Sequence, residues 1–339
     1  MVYTQSQHVR QESMQPTQRD IWQAKQRIAT FITNTPILRT DVLSKQSGTN
    51  AYLKLENLQQ TGAFKLRGAA NKILSLSEED RQKGVTTFST GNHGLAVAYV
   101  AKQLGIPVVV CISNRVPTNK VNKIREMGAE ISIVGESQDE AQEYCYTLQE
   151  TKGMTVVKPF DDKEVIAGQG TIALELLESI PEMDTCIIPL SGGGLFSGIA
   201  LGLKVADPSI RIIGVSMEHS AVMYESIQAG KPIVLEEQDT IADSLLGGIG
   251  DNNTYTFSMV KQYVDEIVLL SEKEIAQGMS YIWHQHQLGV EGAAATPVSV
   301  LLHAKAKQVG HHTVNIITGN NVDPTRFLEA VKSGDDYDG

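Results

Sequence analysis

Cysteine is scarce in this chain: Cys111, Cys145 and Cys186 are the only three in 339 residues, and no two share a CxxC pair or a metal-finger spacing. The simplest reading is a reducing compartment with no zinc site. Positive charge is also short. Lys and Arg number 29 against 39 Asp and Glu, leaving a net charge of −10 with no basic run, which argues against nucleic acid or any other polyanionic partner. No run of about 18 apolar residues could span a bilayer. The first nineteen residues, rich in Gln and Ser, lack the apolar core of a signal peptide. They read as a flexible extension, and the expected setting is the cytoplasm, away from membranes. Internal repeats are missing too, as are low-complexity tracts beyond that polar start.

What is present is ordinary for a globular enzyme or binding protein: 41% hydrophobic and 20% charged residues, with 29 Gly and 11 Pro. The length suits one large or two medium domains. From Val85 onward, short β-branched runs alternate with amphipathic stretches, the pattern of a parallel sheet with crossover helices. Strands are predicted at Val85 to Phe88, Val108 to Ile112, Ile131 to Val134 and Thr155 to Val157. A second set follows at Cys186 to Ile188, Arg211 to Val215 and Thr313 to Ile317. Helices lie between them, one over Leu95 to Leu104 and another starting after an N-cap at Ser137. Two α/β units with separate glycine-rich turns imply two domains and a ligand cleft between them.

Four turns could carry chemistry. Ser191-Gly192-Gly193-Gly194-Leu195 follows a predicted strand and opens a predicted helix, so its N–H groups can approach a phosphate at the positive helix end. Neither GxGxxG nor GxxxxGK[ST] is met, and by itself the loop could equally be a tight structural turn. Lys65 sits beside Phe64 at the start of a predicted helix. There a helix N-terminus, apolar neighbours and a cleft would disfavour its charged form and make it a nucleophile; the ordinary alternative is a solvated lysine. Ser89-Thr90-Gly91-Asn92-His93-Gly94 is another strand-to-helix turn, whose hydroxyls and N–H groups suit a carboxylate. Thr318, in Thr318-Gly-Asn-Asn-Val-Asp323, offers a hydroxyl at the end of a strand.

These segments, with Lys54-Leu-Glu-Asn, Gly62-Ala-Phe-Lys-Leu-Arg-Gly-Ala and Ala167-Gly-Gln-Gly-Thr, resemble the ordered motif set of fold-type II pyridoxal-phosphate enzymes, specifically the serine/threonine dehydratase group. The resemblance runs from Thr35 to Asp323. It implies the tryptophan-synthase-β-like fold, an α/β architecture of two doubly wound domains with pyridoxal 5'-phosphate in the cleft. Residues 1–75 and 160–339 would form the large cofactor-binding domain and 76–159 the small one. Residue by residue, Lys65 would hold the cofactor as an imine and act as catalytic base, with Phe64 packed near the ring. Asn92 would bond the ring's 3-hydroxyl oxygen, and Ser191, Gly192, Gly193, Gly194 and Leu195 the phosphate. Thr318 would partner the pyridine nitrogen. Ser89, Thr90, Asn92 and His93 would grip the substrate carboxylate.

Departures from the family pattern narrow the reading. Many relatives read Gly-Val-Glu-Pro, with the Glu on a divalent cation, where this chain has Gly214-Val215-Ser216-Met217; no metal is expected. Thr90 replaces the second serine that racemases of the family use as a base. Gly214-Val-Ser-Met-Glu218 and Ala242-Asp243-Ser-Leu-Leu-Gly-Gly-Ile-Gly250 look most like the hydroxyectoine-utilization dehydratase branch. The implied activity is elimination of water from a β-hydroxy-α-amino acid with loss of ammonia to a 2-oxo acid, on a ring-opened hydroxyectoine derivative that carries a free amine. Alternatives are a catabolic threonine or serine dehydratase, a serine racemase, a β-replacement synthase and a non-catalytic binding protein. A homodimer is the family's common state. Glu291 falls near the cleft by resemblance, with no role assigned. His284, His286, His311 and His312 lack the helical spacing and third ligand of a zinc site.

Overall fold

The computed structural model describes residues 15–89, 91–115 and 118–335. Its ten strands are β1 (Ile37–Arg39), β2 (Asn50–Leu55), β3 (Val85–Thr87), β4 (Val108–Ile112), β5 (Glu130–Ile133), β6 (Thr155–Val156), β7 (Thr185–Pro189), β8 (Arg211–Met217), β9 (Glu266–Leu270) and β10 (His312–Ile317). Eight helices bear on the site: α1 (Gln18–Ile28), α2 (Lys65–Ser75), α3 (Asn92–Leu104), α4 (Gln138–Lys152), α5 (Lys163–Ser179), α6 (Gly194–Ala206), α7 (Thr256–Tyr263) and α8 (Gly292–Leu302).

The strands form two sheets. One has the order β1-β2-β10-β7-β8-β9, parallel except for the antiparallel edge pair β1–β2; the other is the parallel set β5-β4-β3-β6. All five residues of β4 and all five of β7 are buried, as expected of parallel strands covered by helices on both faces. Each sheet alternates with its crossover helices, as the alternation of runs predicts, in the doubly wound α/β arrangement that the resemblance implies. The smaller sheet draws only on residues 85–156, whereas the larger takes strands from both sides of that stretch.

Local signals account for the element ends. Ser137 caps α4 as expected, accepting from the Glu140 N–H while the Glu140 carboxylate returns to the Ser137 N–H, which satisfies two of the helix's orphan donors. Thr17 and Asp20 build the same box on α1, so residues 18 and 19, expected to belong to a flexible extension, are helical; residues 1–14 of that stretch lie outside the described residues. Helix α3 starts a turn earlier than its apolar stripe predicts, at Asn92 rather than Leu95, because the small polar residues of its first turn face a cleft and not a core.

Helix α5 is buried on every side from Val165 to Leu176, which marks a helix held between others. Its Ala167-Gly-Gln-Gly-Thr segment makes that possible. A Cβ on Gly168 would lie 2.6 Å from the Arg67 carbonyl oxygen, and one on Gly170 would lie 2.9 Å from that of Gly198. The two glycines thus let α2 and α6 approach α5 at backbone distance, and these two helices carry Lys65 and the glycine loop.

Candidate active site

Lys65 is the first residue of α2, and its position is set by a backbone staple to the end of β10. Phe64 N–H donates to the Thr318 carbonyl (3.0 Å), Asn320 N–H donates to the Gly62 carbonyl (2.9 Å), and Ala63 bridges Gly319. Gly62 supplies the left-handed turn, φ +72°, that this staple requires. The Lys65 Nζ donates to the Pro159 carbonyl at 2.7 Å and lies 5.3 Å from the centroid of the Phe64 ring. Burial lowers its pKa to about 8, against the opposing pull of the Glu291 charge. An amine so placed is partly uncharged near neutral pH and can act as nucleophile or base.

Beneath it, α2 is anchored by a buried ionic cluster. The Arg67 guanidinium uses all five donors: to Glu56 at 2.7 and 2.8 Å, to Glu175 at 2.7 and 2.9 Å, and to the Thr171 hydroxyl at 3.0 Å. Lys54 completes it on Glu175 and the Thr35 carbonyl. Desolvation drives the Glu56 carboxyl upward, but the charge and hydrogen bonds of Arg67 outweigh it and hold Glu56 below the usual range. Two basic and two acidic groups balance with no free charge, so the segments on either side of Lys65 are fixed to β2 and α5.

The loop after β7 forms the opposite wall. Gly193 adopts φ +84°, and α6 begins at Gly194, so the first-turn N–H groups have no intrahelical acceptor and face the cleft. Side chains are excluded there: a Cβ on Gly192 would lie 2.5 Å from the Phe160 ring, and one on Gly194 would lie 2.9 Å from the Phe160 Cα. The result is an anion cradle made of backbone. Between the two walls, Thr318 is 2% exposed and its hydroxyl has no hydrogen-bond partner in the protein, although a buried hydroxyl ordinarily finds one.

The third wall is the start of α3. Asn92 Nδ2 donates to both Glu291 oxygens (3.1 and 3.0 Å), and its Oδ1 accepts from Asn321 Nδ2 at 2.7 Å. His93 is buried, and its Nε2 donates to the Val157 carbonyl at 2.9 Å. Its Nδ1 is therefore the unprotonated nitrogen, and it has no partner. Desolvation, together with the Lys65 charge, lowers the His93 pKa to about 3 despite that bond. The ring is neutral, so at this residue only the backbone N–H is left to face an anion. Ser89 lines the same wall, while Thr90 lies outside the described residues.

Apart from Thr90, the residues singled out from sequence line one cleft of about 950 Å³: Phe64, Lys65, Ser89, Asn92, His93, the Ser191–Leu195 loop and Thr318. Sequence reasoning missed Pro159, Phe160 and Asn321 on its walls, which carry no chemical signature of their own. It also missed Asp161, whose carboxylate caps α7 by accepting from the N–H groups of Thr254, Tyr255 and Thr256. Among the described residues no group of three His, Cys, Asp or Glu is placed to hold a metal ion. The buried Ser216 hydroxyl donates to the Met217 sulfur at 3.5 Å. His284 and His286 turn to different partners, Asp335 and Thr40. No helix among the described residues is long and apolar enough to cross a membrane.

A partly buried amine of lowered pKa, a backbone cradle for a dianion and an orphaned hydroxyl between them fit pyridoxal 5'-phosphate at its aldehyde, phosphate and ring nitrogen. Comparison with known proteins agrees. Residues 28–319 match the family model described as pyridoxal-phosphate dependent enzyme. The chain is 43% identical over 311 residues to a putative threonine dehydratase of Sinorhizobium fredii, covering 92% of this chain and 94% of that one. It is 38% identical over 318 residues to the L-threonine ammonia-lyase of Thermotoga maritima, covering 94% and 79%. Among solved structures, maize serine racemase superposes with a TM-score of 0.87 at 34% identity, covering 94% of this chain and 97% of that one. Threonine deaminase isoform 2 from Solanum lycopersicum gives 0.84 at 29%, covering 95% and 91%. The chain belongs to the pyridoxal-phosphate dependent enzymes of fold type II.

Proposed function

We propose that this enzyme is a dehydratase that converts a β-hydroxy-α-amino acid to a 2-oxo acid and ammonia. The observation that carries the reading is the Lys65 amine, lowered to about 8 and seated between the glycine cradle and the carboxylate-sized turn at the start of α3. Lys65, Phe64, Asn92, Thr318 and the Ser191–Leu195 loop would hold pyridoxal phosphate, which supplies a sink for the electrons of the α C–H bond. The Thr318 hydroxyl is neutral and would partner the ring nitrogen without charging it, which would give a weak sink suited to prompt departure of a β-substituent.

The other steps belong to the chain. Ser89 and the N–H groups at the start of α3 would hold the substrate carboxylate, with Thr90 expected to join them from its place in the motif, and so aim the α-hydrogen at the Lys65 amine. Lys65 takes that proton, the electron pair left at the α-carbon forms the Cα–Cβ double bond, and the β-hydroxyl leaves as water with the proton that the Lys65 ammonium returns. Water then returns on hydrolysis of the enamine product, so the net change is release of ammonia. Phe88 and Phe160 line the cleft and limit its water.

Within this class, the substrate we favour is a ring-opened hydroxyectoine derivative, a β-hydroxy-α-amino acid with a second nitrogen. Support comes from the acidic side of the cleft, where Asp243 lines the wall beside Ser244 and Glu291 and suits a cationic side chain. Threonine is the second reading, favoured by the names of the relatives. A panel of threonine, serine and opened hydroxyectoine derivatives, assayed for 2-oxo acid, separates them. Turnover of the opened derivative alone supports the specialised reading, and preference for threonine overturns it. Visible cofactor absorbance with no 2-oxo acid from any member removes the dehydratase reading. New amino acid formed with an added thiol would indicate a β-replacement synthase.

A further inference from the structure

Glu291 gives or takes no proton in the chemistry above, yet it is 4% exposed and lines the cleft. Both its oxygens accept from the Asn92 amide, and Oε1 also accepts from Ser244 Oγ at 3.2 Å. Its own N–H donates to the Gly319 carbonyl at 3.1 Å, so the residue at the start of α8 is fixed to the same turn that staples Lys65. The other end of the Asn92 amide is held as well. Asn321 Nδ2 donates to Asn92 Oδ1 at 2.7 Å and to the Thr61 carbonyl at 2.8 Å.

Asn92 begins α3, which packs on the small sheet, whereas Glu291, Asn321 and Ser244 belong to segments around the large one. One amide is thus clamped across the cleft, its oxygen by a donor and its nitrogen by an acceptor, and it cannot flip without breaking both sets of bonds. Glu291 can hold the nitrogen end only as an acceptor.

We propose that Glu291 is the positioning residue of this site, fixing the Asn92 amide across the cleft in the orientation in which it would bond the cofactor. The inference rests on the reading of Asn92 as a cofactor-binding residue. A carboxylate here also places negative charge beside Lys65, which favours the ammonium form of that lysine. Hydrogen-bond acceptance and charge are separable. Glu291→Gln is isosteric and keeps an acceptor for Asn92 while losing the charge; Glu291→Ala loses both.

The test is capture of pyridoxal phosphate by cofactor-stripped protein, followed by visible absorbance across pH, with thermal unfolding in parallel. For E291Q the geometry gives affinity within about threefold of the parent and a capture midpoint shifted down by about half a unit or more. For E291A it gives affinity weaker by about tenfold or more. N92A should lose a similar factor, and the double variant E291A/N92A no more than either single one, because both act through one contact. Additive losses, or E291A capturing cofactor as the parent does, would overturn the inference. So would an E291Q protein that folds as the parent does and yet binds as poorly as E291A. The readout needs no turnover: a protein that captures cofactor normally and dehydrates no amino acid contradicts the proposed reaction, not the placement of Glu291.

Discussion

Arg67→Met is the substitution whose consequence the structure fixes most tightly. The guanidinium is fully buried and spends its five donors on Glu56, Glu175 and Thr171. Methionine fills much of the volume but leaves the Glu56 carboxylate with only the Thr35 hydroxyl and the Gln59 amide, and Glu175 with Lys54 alone. Removing one partner of a buried, hydrogen-bonded ion pair ordinarily destabilises a protein by about 3–5 kcal/mol. Against a total stability of about 5–15 kcal/mol that is a large fraction, and it falls on the helix that begins with Lys65. We expect urea denaturation of the Arg67→Met protein, followed by circular dichroism, to show a loss in this range, with weakened cofactor capture. Replacing Glu56 by Gln in the same protein should recover part of the loss, because it removes the uncompensated charge. An Arg67→Met protein within about 1 kcal/mol of the parent would refute the argument, since it would mean that water or relaxation satisfies both carboxylates.

Three further outcomes follow from the site. With Lys65 lowered to about 8, the free-amine fraction grows as pH rises through that value, so capture of pyridoxal phosphate by stripped protein should accelerate across it. It should then level off, and a rate that keeps climbing to about pH 10, as the free-amine fraction of an ordinary lysine does, would contradict the placement. Gly194→Ala puts a Cβ 2.9 Å from the Phe160 Cα and 3.0 Å from its carbonyl oxygen; backbone must move, and cofactor affinity should fall by about tenfold or more with little change in unfolding midpoint. Thr318→Val removes a buried hydroxyl with no protein partner, so the cofactor-stripped protein should be as stable as the parent or slightly more so. The same change should alter the holoenzyme's absorbance and lower its turnover, and an unchanged spectrum would detach Thr318 from the ring.

The sequence by itself determined what depends on neighbours along the chain. The apolar runs of β4 and β7, the Ser137 cap of α4 and the glycines that open α6 each follow from residue type and short spacing, and the ordered motifs pointed to the cofactor. The sequence reading left out β1, β2 and β9. Strand β1 is three residues long with two exposed, and β9 alternates only partly, so neither carries a period strong enough to identify it before its partner is known. The chemical state of the site was decided by tertiary structure alone. Lys65 is lowered by desolvation in the folded cleft, which its neighbours along the chain do not fix. His93 is neutral and turned away because Val157, 64 residues on, offers a carbonyl to its Nε2. Asn92 and Glu291 are 199 residues apart and meet only when the two sheets close on one cleft. Desolvation and long-range hydrogen bonds depend on distances in space, and these the packing of α2 and α6 against α5 supplies.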